Sequence, residues 1–387
     1  MKERVRVERL DGPQALHAIA AECDRIAARM QPRLPFATSD WLSLWWQHYR
    51  EQRVLVRDRF FVHTVRDERG VLIALAPLML TERPGSGPFR SRGVTFFGGD
   101  KNVTELRGLV CAPEHEGEAV RALLAHLWAR GEDWDWLVWN GVRRGAEGHA
   151  VLEAAQNFEW LRETTDYVLP LPSTWEAFRG SRSRNIKESL RKCYNSLKRE
   201  GHDFELRVSS DARELPAALG RFFELHARRA QAPDLVRHED VFAIPRAREM
   251  LLALARRQSG ALSLHAFELS IAGTVVASRL GFLLDDELYL YFSGYDPAWG
   301  AYSVMTTTVA EAIKWAISKQ VRLVNLSPGT DISKTRWGAS TITTSSGVLI
   351  SPTRRGKAVF GVVGGLNQHS RPGTLLGKLF ARARRKG

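Results

Sequence analysis

Cysteine is scarce and dispersed in this sequence: three in 387 residues, at Cys23, Cys111 and Cys193. No Cys-x-x-Cys pair or Cys/His cluster occurs, which argues against a structural zinc centre or a disulfide framework and fits a reducing compartment. Long apolar runs are missing as well. The longest, VLIALAPLML at positions 71–80, falls well short of the about 20 residues a spanning helix needs, and Pro77 interrupts it, so it reads as a buried strand. The opening MKERVRVERLDG is charged and lacks the apolar core of a secretory signal. No segment is depleted enough in apolar residues to read as a long disordered stretch. The sequence also has no Gly-x-Ser-x-Gly elbow, no kinase signature, no Walker loop and no Gly-x-Gly-x-x-Gly, which argues against hydrolase and phosphoryl-transfer chemistry. A soluble, cytoplasmic chain without a metal is expected.

What is present is ordinary globular material, 44% hydrophobic and 26% charged, with 12 tryptophans and enough length for two domains or two halves sharing an interface. The net charge of +13 is uneven. From Arg354 onward there are nine Lys/Arg and no acid, so the tail carries most of the excess. Such a tail is drawn to phosphate-bearing surfaces, and LLGKLFARARRK could lie as a short amphipathic helix on anionic lipid at the inner face of a membrane. Direct nucleic-acid binding is not expected from it, since aromatic residues are not interleaved with its cations.

Periodicity predicts a mixed α/β first half. Residues 13–30 carry a helical stripe, and Ser39-Asp40 is placed to cap a tryptophan-rich helix, WLSLWWQHYR. Strands follow at 59–66 and 71–81 around a DERG turn and near 94–97. A helix at 116–129 and the strand DWLVWN close the half. YVLPLPS at 167–173 marks a break. A long helix over 175–200 ends at Gly201, a natural C-cap, then come a strand (203–208) and helices at 215–230 and 246–257. Three antiparallel strands, 262–269, 274–284 and 287–294, lead to a helix at 302–319 and a strand at 322–326. The two halves share this order of elements without any repeat at the residue level.

Three constellations could carry chemistry. On the helix SRSRNIKESLRKCYNSLKREG, Ile186, Leu190, Cys193 and Leu197 form a stripe to bury. Arg184, Lys187, Arg191 and Lys198 form a second stripe, which is either a solvated face or a seat for an anion. In YLYFSGYDPAWGAYS a strand end, a loop with Gly300 and a helix start near Ser303 make either a structural turn or an anion site built from backbone N–H groups. In NLSPGTDISKTRW a strand end opens into a polar loop. There Asp331 either serves function or merely pairs with Lys334 or Arg336 at the surface. His226, in ELHARR, and His265 read as structural histidines, the former with some capacity to act as a base.

Taken in order, SxSRNIKxxLRKxxxxLKxxG, FFELHARR, IAGTVVASRLGFLLDDELYLYFSGYDPAWGAYS and VNLSPGTDxxKxRW resemble the CelD/BcsL-like branch of GNAT-type acetyltransferases, relatives of the Fem aminoacyl transferases. The likeness is strongest over about 170–340. It implies an α+β (mixed α/β) tandem GNAT-like fold, two halves each with a mostly antiparallel central sheet flanked by helices. The halves would be 1–168 and an acetyltransferase domain 169–350, followed by a basic tail, 351–387. It further implies acyltransferase activity (EC 2.3.1.-) that positions a nucleophile against an activated carbonyl, with a base and backbone N–H groups assisting.

The resemblance assigns Tyr295, Trp299, Gly300, Tyr302 and Ser303 to the donor side, although the usual Q/RxxGxG/A loop is absent and Ser303-Val304 stands where the branch has Ser-Pro-Gly. Arg184, Asn185, Lys187, Arg191, Arg229, Tyr291, Lys334 and Trp337 become the expected substrate-binding residues. Asp296, Asp331 and His226 become the candidate bases. The expected donor is acetyl-CoA or another acyl-CoA. The expected acceptor is an amine or hydroxyl of a small molecule or of a cell-envelope or exopolysaccharide precursor. Two alternatives stand beside this: Fem-like transfer from aminoacyl-tRNA, and a non-catalytic scaffold held to a biosynthetic complex or a membrane surface by the tail.

Overall fold

The computed structural model describes residues 5–85, 90–100, 102–232, 239–257 and 261–369. The first half runs β1 (Val5–Arg9), α1 (Pro13–Ala18), α2 (Ala20–Ala27), α3 (Ser39–Tyr49), β2 (Gln52–Arg53), β3 (Val56–Phe60), β4 (His63–Asp67), β5 (Leu72–Ala76), β6 (Leu78–Arg83), β7 (Ser91–Phe96), β8 (Val110–Cys111), α4 (Glu116–Ala129), β9 (Trp136–Arg143), α5 (Glu147–Glu153) and β10 (Phe158–Pro170). The second runs α6 (Trp175–Ser181), α7 (Arg184–Arg199), β11 (Phe204–Ser209), α8 (Leu215–Gln231), α9 (Pro245–Arg257), β12 (Ser263–Ile271), β13 (Thr274–Leu284), β14 (Glu287–Tyr295), α10 (Val304–Ser318), β15 (Leu323–Pro328), α11 (Ile332–Thr335), β16 (Ser340–Ile350) and α12 (Arg354–His369).

Twelve strands form one sheet in the order β11-β12-β13-β14-β15-β10-β16-β9-β7-β6-β3-β2, and β1-β4-β5-β8 form a smaller one. The order exposes the internal symmetry. In each half an antiparallel run (β3-β6-β7, or β12-β13-β14) is followed across a helix (α4 or α10) by a parallel strand (β9 or β15). Each half then gives its last strand away. β10 pairs with β15 of the second half, β16 pairs with β9 of the first, and β10 and β16 lie antiparallel at the centre from Phe158↔Leu349 to Val168↔Ser340. This exchange makes one continuous sheet of two halves and leaves neither with a free central edge.

The core is shared too. Trp41 and Trp45 of α3 pack in one cluster with Phe222 of α8, Met250 of α9 and Phe282, Tyr289 and Tyr291 of the second half. Trp41 is 1% exposed, meets Phe36 edge-on at 4.8 Å and Phe282 at 5.7 Å, and donates its indole N–H to Thr104 at 3.3 Å. Trp41→Ala is therefore expected to cost about 3–5 kcal/mol. Because its cavity opens in both halves, fluorescence and circular dichroism in a urea titration should shift together. Gly294 allows the closest approach in this core: a Cβ there would strike the backbone of α8 at His226.

The sequence reading differs from the structure at identifiable points. Residues 13–30 make two helices that break at Ile19, not one. The cap of α3 is Thr38, whose hydroxyl accepts from Trp41 N–H, while Ser39 is held by the Asp24 carboxylate at 2.8 Å. The helix expected over 175–200 breaks at Arg182-Ser183, where Ser183 caps α7. Its end is as expected: Gly201 is left-handed, and His202 N–H returns to Leu197. The break at 167–173 coincides with the end of β10, a strand already paired to the second half. β10, β16 and α12 have no counterpart in the sequence reading. LLGKLFARARRK lies outside the described residues.

Candidate active site

β14 and β15 pair only over three positions, from Glu287↔Leu323 to Tyr289↔Asn325, and then part. β14 continues to Tyr295 and into a short 3-10 turn (Pro297–Tyr302), whereas β15 turns away against β10. The wedge between them is topped by the start of α10. Ser303 there is left-handed (φ 55°), and no side chain caps the helix. An uncapped helix start presents N–H groups and positive dipole to an anion or a polarised carbonyl.

Between β14, α10 and the loop after β15 lies a cavity of about 60 Å³ lined by Arg229, Arg279, Ser293, Thr306, Ser333 and Trp337. Arg229 donates to Ser293 Oγ at 2.6 Å and lies over the Tyr295 ring at 5.8 Å. Arg279, 8% exposed, donates to the Leu290 carbonyl at 3.3 Å, and its buried Nε–H has no partner. Burial lowers its pKa to about 10, so it remains a cation.

Opposing these cations is a group of carboxylates that meets at the seam of the halves. Glu105, from the loop after β7 in the first half, accepts a hydrogen bond from Tyr289 of β14 at 2.9 Å. It keeps some solvent contact yet sits deep in the molecule, and desolvation pushes its pKa up to about 7, against the pull of Lys334, Tyr289 and Arg279. Asp166 sits at a bulge in β10, 3% exposed. Burial raises it to about 6, and Asn325 and Lys334 oppose the shift. The Asn325 amide and Asp166 Oδ1 nevertheless miss hydrogen-bonding geometry. Lys334 of α11 has a side chain only 14% exposed, donates to Ser327 Oγ at 3.1 Å and to the Pro328 carbonyl, and feels Glu105, Asp166 and Asp331. Burial lowers its pKa despite them.

The first half contains the equivalent wedge, since β7 and β9 also pair over only three positions, Gly93↔Trp136 to Thr95↔Val138. Its own chain enters between the strands, with a cavity of about 390 Å³ left between β9, β16 and the start of α4. The segment 106–109 lies against β9 so closely that a Cβ at Gly108 would stand 2.7 Å from the Asn140 carbonyl, and one at Gly141 (φ 69°) would strike the Arg107 carbonyl. The symmetry is thus broken: a loop runs between the strands of one wedge and brings Glu105 towards the other.

The expected site residues fall into two groups. Arg229 and Trp337 line the cavity of the open wedge, Tyr295 lies beneath Arg229, Ser303 stands at the start of α10 with Gly300 in the turn before it, and Lys334 follows the lining residue Ser333. Trp299 and Tyr302 pack around His202 at 5.0 and 5.2 Å, and Tyr302 donates to Glu200. Tyr291 is buried behind the site with its hydroxyl on the Val103 carbonyl. By contrast, Arg184, Asn185, Lys187 and Arg191 point into solvent. α7 buries the expected Ile186, Leu190, Cys193 and Leu197 stripe and leaves its cations outside, away from the cavity in the wedge.

Of the candidate bases, Asp296 caps the 3-10 turn through Ala298 N–H (3.0 Å) and pairs with Arg228 at 3.0 Å. Asp331 caps α11; burial raises its pKa, but Ser333 and Lys334 outweigh that and hold it low. His226 is buried among Phe222, Phe242 and Phe292 with Nδ1 2.9 Å from the Ser293 carbonyl, and burial lowers its pKa. Asp296 and Asp331 thus act as caps, whereas His226 keeps a buried Nε2 without a hydrogen-bond partner, 3.9 Å from Asp240. The sequence reading assigned no role to Glu105, Asp166 or Arg279. The available signal was a charge set inside apolar strand pattern, as in VASRLGF, or in a glycine-rich loop, GGDKNVTELRG. Among the described residues no group of three or more His, Cys, Asp or Glu is placed to hold a metal, and no helix is long and apolar enough to cross a membrane.

A mixed α+β sheet whose parallel strands splay beneath a helix start, repeated twice in one chain, is a tandem GNAT fold. Residues 184–335 match the family model of the acetyltransferase (GNAT) domain, the segment that holds the open wedge. No curated protein matches the sequence. Among solved structures the chain is similar to FemX, with a TM-score of 0.59 and 11% identity over 92% of this chain and 99% of that one. It is also similar to a conserved protein of unknown function from Bacteroides thetaiotaomicron (0.49, 14%, 89% and 100%) and to a tandem GNAT protein from the clavulanic acid biosynthesis pathway (0.45, 13%, 90% and 99%). At 11% identity the FemX likeness is one of fold.

Proposed function

We propose that the chain is an acyltransferase that moves an acyl group from a CoA thioester to an amine or hydroxyl of a cell-envelope or exopolysaccharide precursor in the cytoplasm. The observation that carries this reading is the uncapped start of α10 over the parting strands β14 and β15, with Lys334 from one half and Glu105 from the other within electrostatic reach of each other. In this scheme Arg229, Arg279 and the α10 amides receive the carrier's phosphates or the polarised carbonyl. Lys334 faces the oxygen that gains charge in the tetrahedral intermediate. Glu105, tuned close to neutrality, takes the proton from the nucleophile. The carbon–nitrogen or carbon–oxygen bond forms, the carbon–sulfur bond breaks, and the thiolate leaves and is protonated. Calorimetry with acetyl-CoA and longer acyl-CoAs tests the donor: micromolar binding is expected, and no binding of any of them to the folded chain removes the CoA version.

One observation favours a second donor. α7 runs beside the wedge, tied to it by Arg336, which bonds Ser189 of α7 and Thr306 of α10 at 3.2 Å each, and its outer face is an exposed run of cations. Such a face suits a long polyanion such as an aminoacyl-tRNA better than a single CoA. Arg191→Glu is expected to change thermal stability by no more than about 0.5 kcal/mol, because the side chain is exposed. Acyl-CoA affinity should stay within a few-fold. A salt-dependent loss of tRNA binding in that variant would favour the aminoacyl donor.

A further inference from the structure

Two cavities adjoin along β16 and the loop after β7, sharing walls of Met30, Pro32, Leu34, Leu109, Ile342 and Thr344, and are taken together here as one passage. Its outer part, about 390 Å³, opens on the first half near Glu116, Arg143 and Glu147. Its inner part, about 60 Å³, is walled by Leu34, Phe36, Leu42, Phe97 and Leu106 and includes Asp166, one of the carboxylates at the seam. Arg107, which also lines it, is committed to the Gly98 carbonyl.

Two buried acceptor oxygens in these walls have no partner. One is Asn140 Oδ1, 4% exposed, whose amide nitrogen is already donating to Ser346 Oγ at 3.1 Å. The other is Asp166 Oδ1. Interiors seldom leave such acceptors unmade, and two along one passage point to a guest that brings donors. Of the groups that act on Asp166, the Asn325 amide lies beside it but outside hydrogen-bonding geometry, and Lys334 has its ammonium on Ser327 and Pro328. Hydrocarbon walls select a slim apolar arm, and a carboxylate among them selects a cationic donor over a neutral one.

We propose that this passage receives the acceptor: a primary ammonium on a slim hydrocarbon arm, inserted from the face of the first half with its nitrogen at Asp166. The inference rests on the transferase reading and narrows it to an amine on an apolar arm in place of a hydroxyl on a sugar. The ammonium gives one proton to a carboxylate at the seam, and the freed amine attacks the acyl carbon. The carbon–nitrogen bond forms as the carbon–sulfur bond breaks, and the departing thiolate takes the nitrogen's second proton.

Calorimetry on the full chain with octylamine, octan-1-ol and octanoate, with acyl-CoA titrated separately, tests this. Octylamine is expected to bind, octan-1-ol to bind about tenfold or more weakly, and octanoate not to bind. Asp166→Asn should lower octylamine affinity by about tenfold or more. Leu109→Trp, which fills the passage, should remove it, each variant keeping the parent's circular dichroism spectrum. If acyl-CoA binds and octylamine does not, or if Leu109→Trp leaves octylamine binding intact, the inference is wrong while the transferase reading stands. If octylamine binds as described and no acyl-CoA does, the passage stands and the transferase reading falls.

Discussion

Lys334→Met is expected to lower kcat/KM for acyl transfer by about 10²–10³-fold while leaving acyl-carrier affinity within a few-fold. Ser327 and the Pro328 carbonyl fix the position of the ammonium, and Glu105, Asp166 and Asp331 favour its charge even as burial lowers its pKa. A fixed cation in a poorly solvated cleft stabilises a developing oxyanion far more than a neutral carbonyl, so its loss should fall on the transition state rather than on ground-state binding. Methionine retains the length and the packing of the stem. Steady-state kinetics together with calorimetry separate the outcomes: a rise in KM with unchanged kcat would assign Lys334 to carrier binding instead.

Glu105→Gln should cost about 10²–10⁴-fold in kcat/KM and flatten the acid limb of the pH profile. A base works only when unprotonated. With burial having raised Glu105 to about 7, activity of the parent should climb as pH rises through about 6–7 and level off above it. Asp166, Lys334, Arg279 and Tyr289 face the same group, so the limb reports the coupled set rather than one carboxyl. The stability effect has the opposite sign. An acid whose folded pKa lies above its unfolded value of about 4.3 favours the fold at low pH, and that contribution is lost as pH rises towards 7. Glu105→Gln should therefore be less active but more stable than the parent at pH 8, with the stability gap closing by pH 5. A differential scanning series across that range measures it.

Much of the second half was legible because its strands alternate cleanly and its turns carry their own signals. The Ala272-Gly273 and Asp285 turns take the positive φ values that close β12, β13 and β14, and all three strands fall within two residues of their expected positions. β10 and β16 were not legible. They are partly polar strands, RETTDY and STITTSS, whose stability comes from pairing with each other and with the opposite half, a long-range property that local pattern does not carry. The same limit hid the site. Lys334 could be assigned from its motif, but its partners Glu105 and Asp166 lie far away in sequence and join it only through the exchanged strands and the loop after β7. The basic stripe of α7 is the converse case: a strong local pattern at Arg184, Lys187 and Arg191 that the fold leaves exposed, outside the wedge.

In the proposed reaction, transfer takes place in the open wedge of the second half, served by a carboxylate from the first. A crystal structure with a non-hydrolysable ketone analogue of acetyl-CoA tests that most directly. The analogue's carbonyl is expected within hydrogen-bonding reach of Lys334 Nζ or the first amides of α10, with Glu105 facing its open side. Density for the analogue anywhere else, above all at the wedge between β7 and β9, would contradict it.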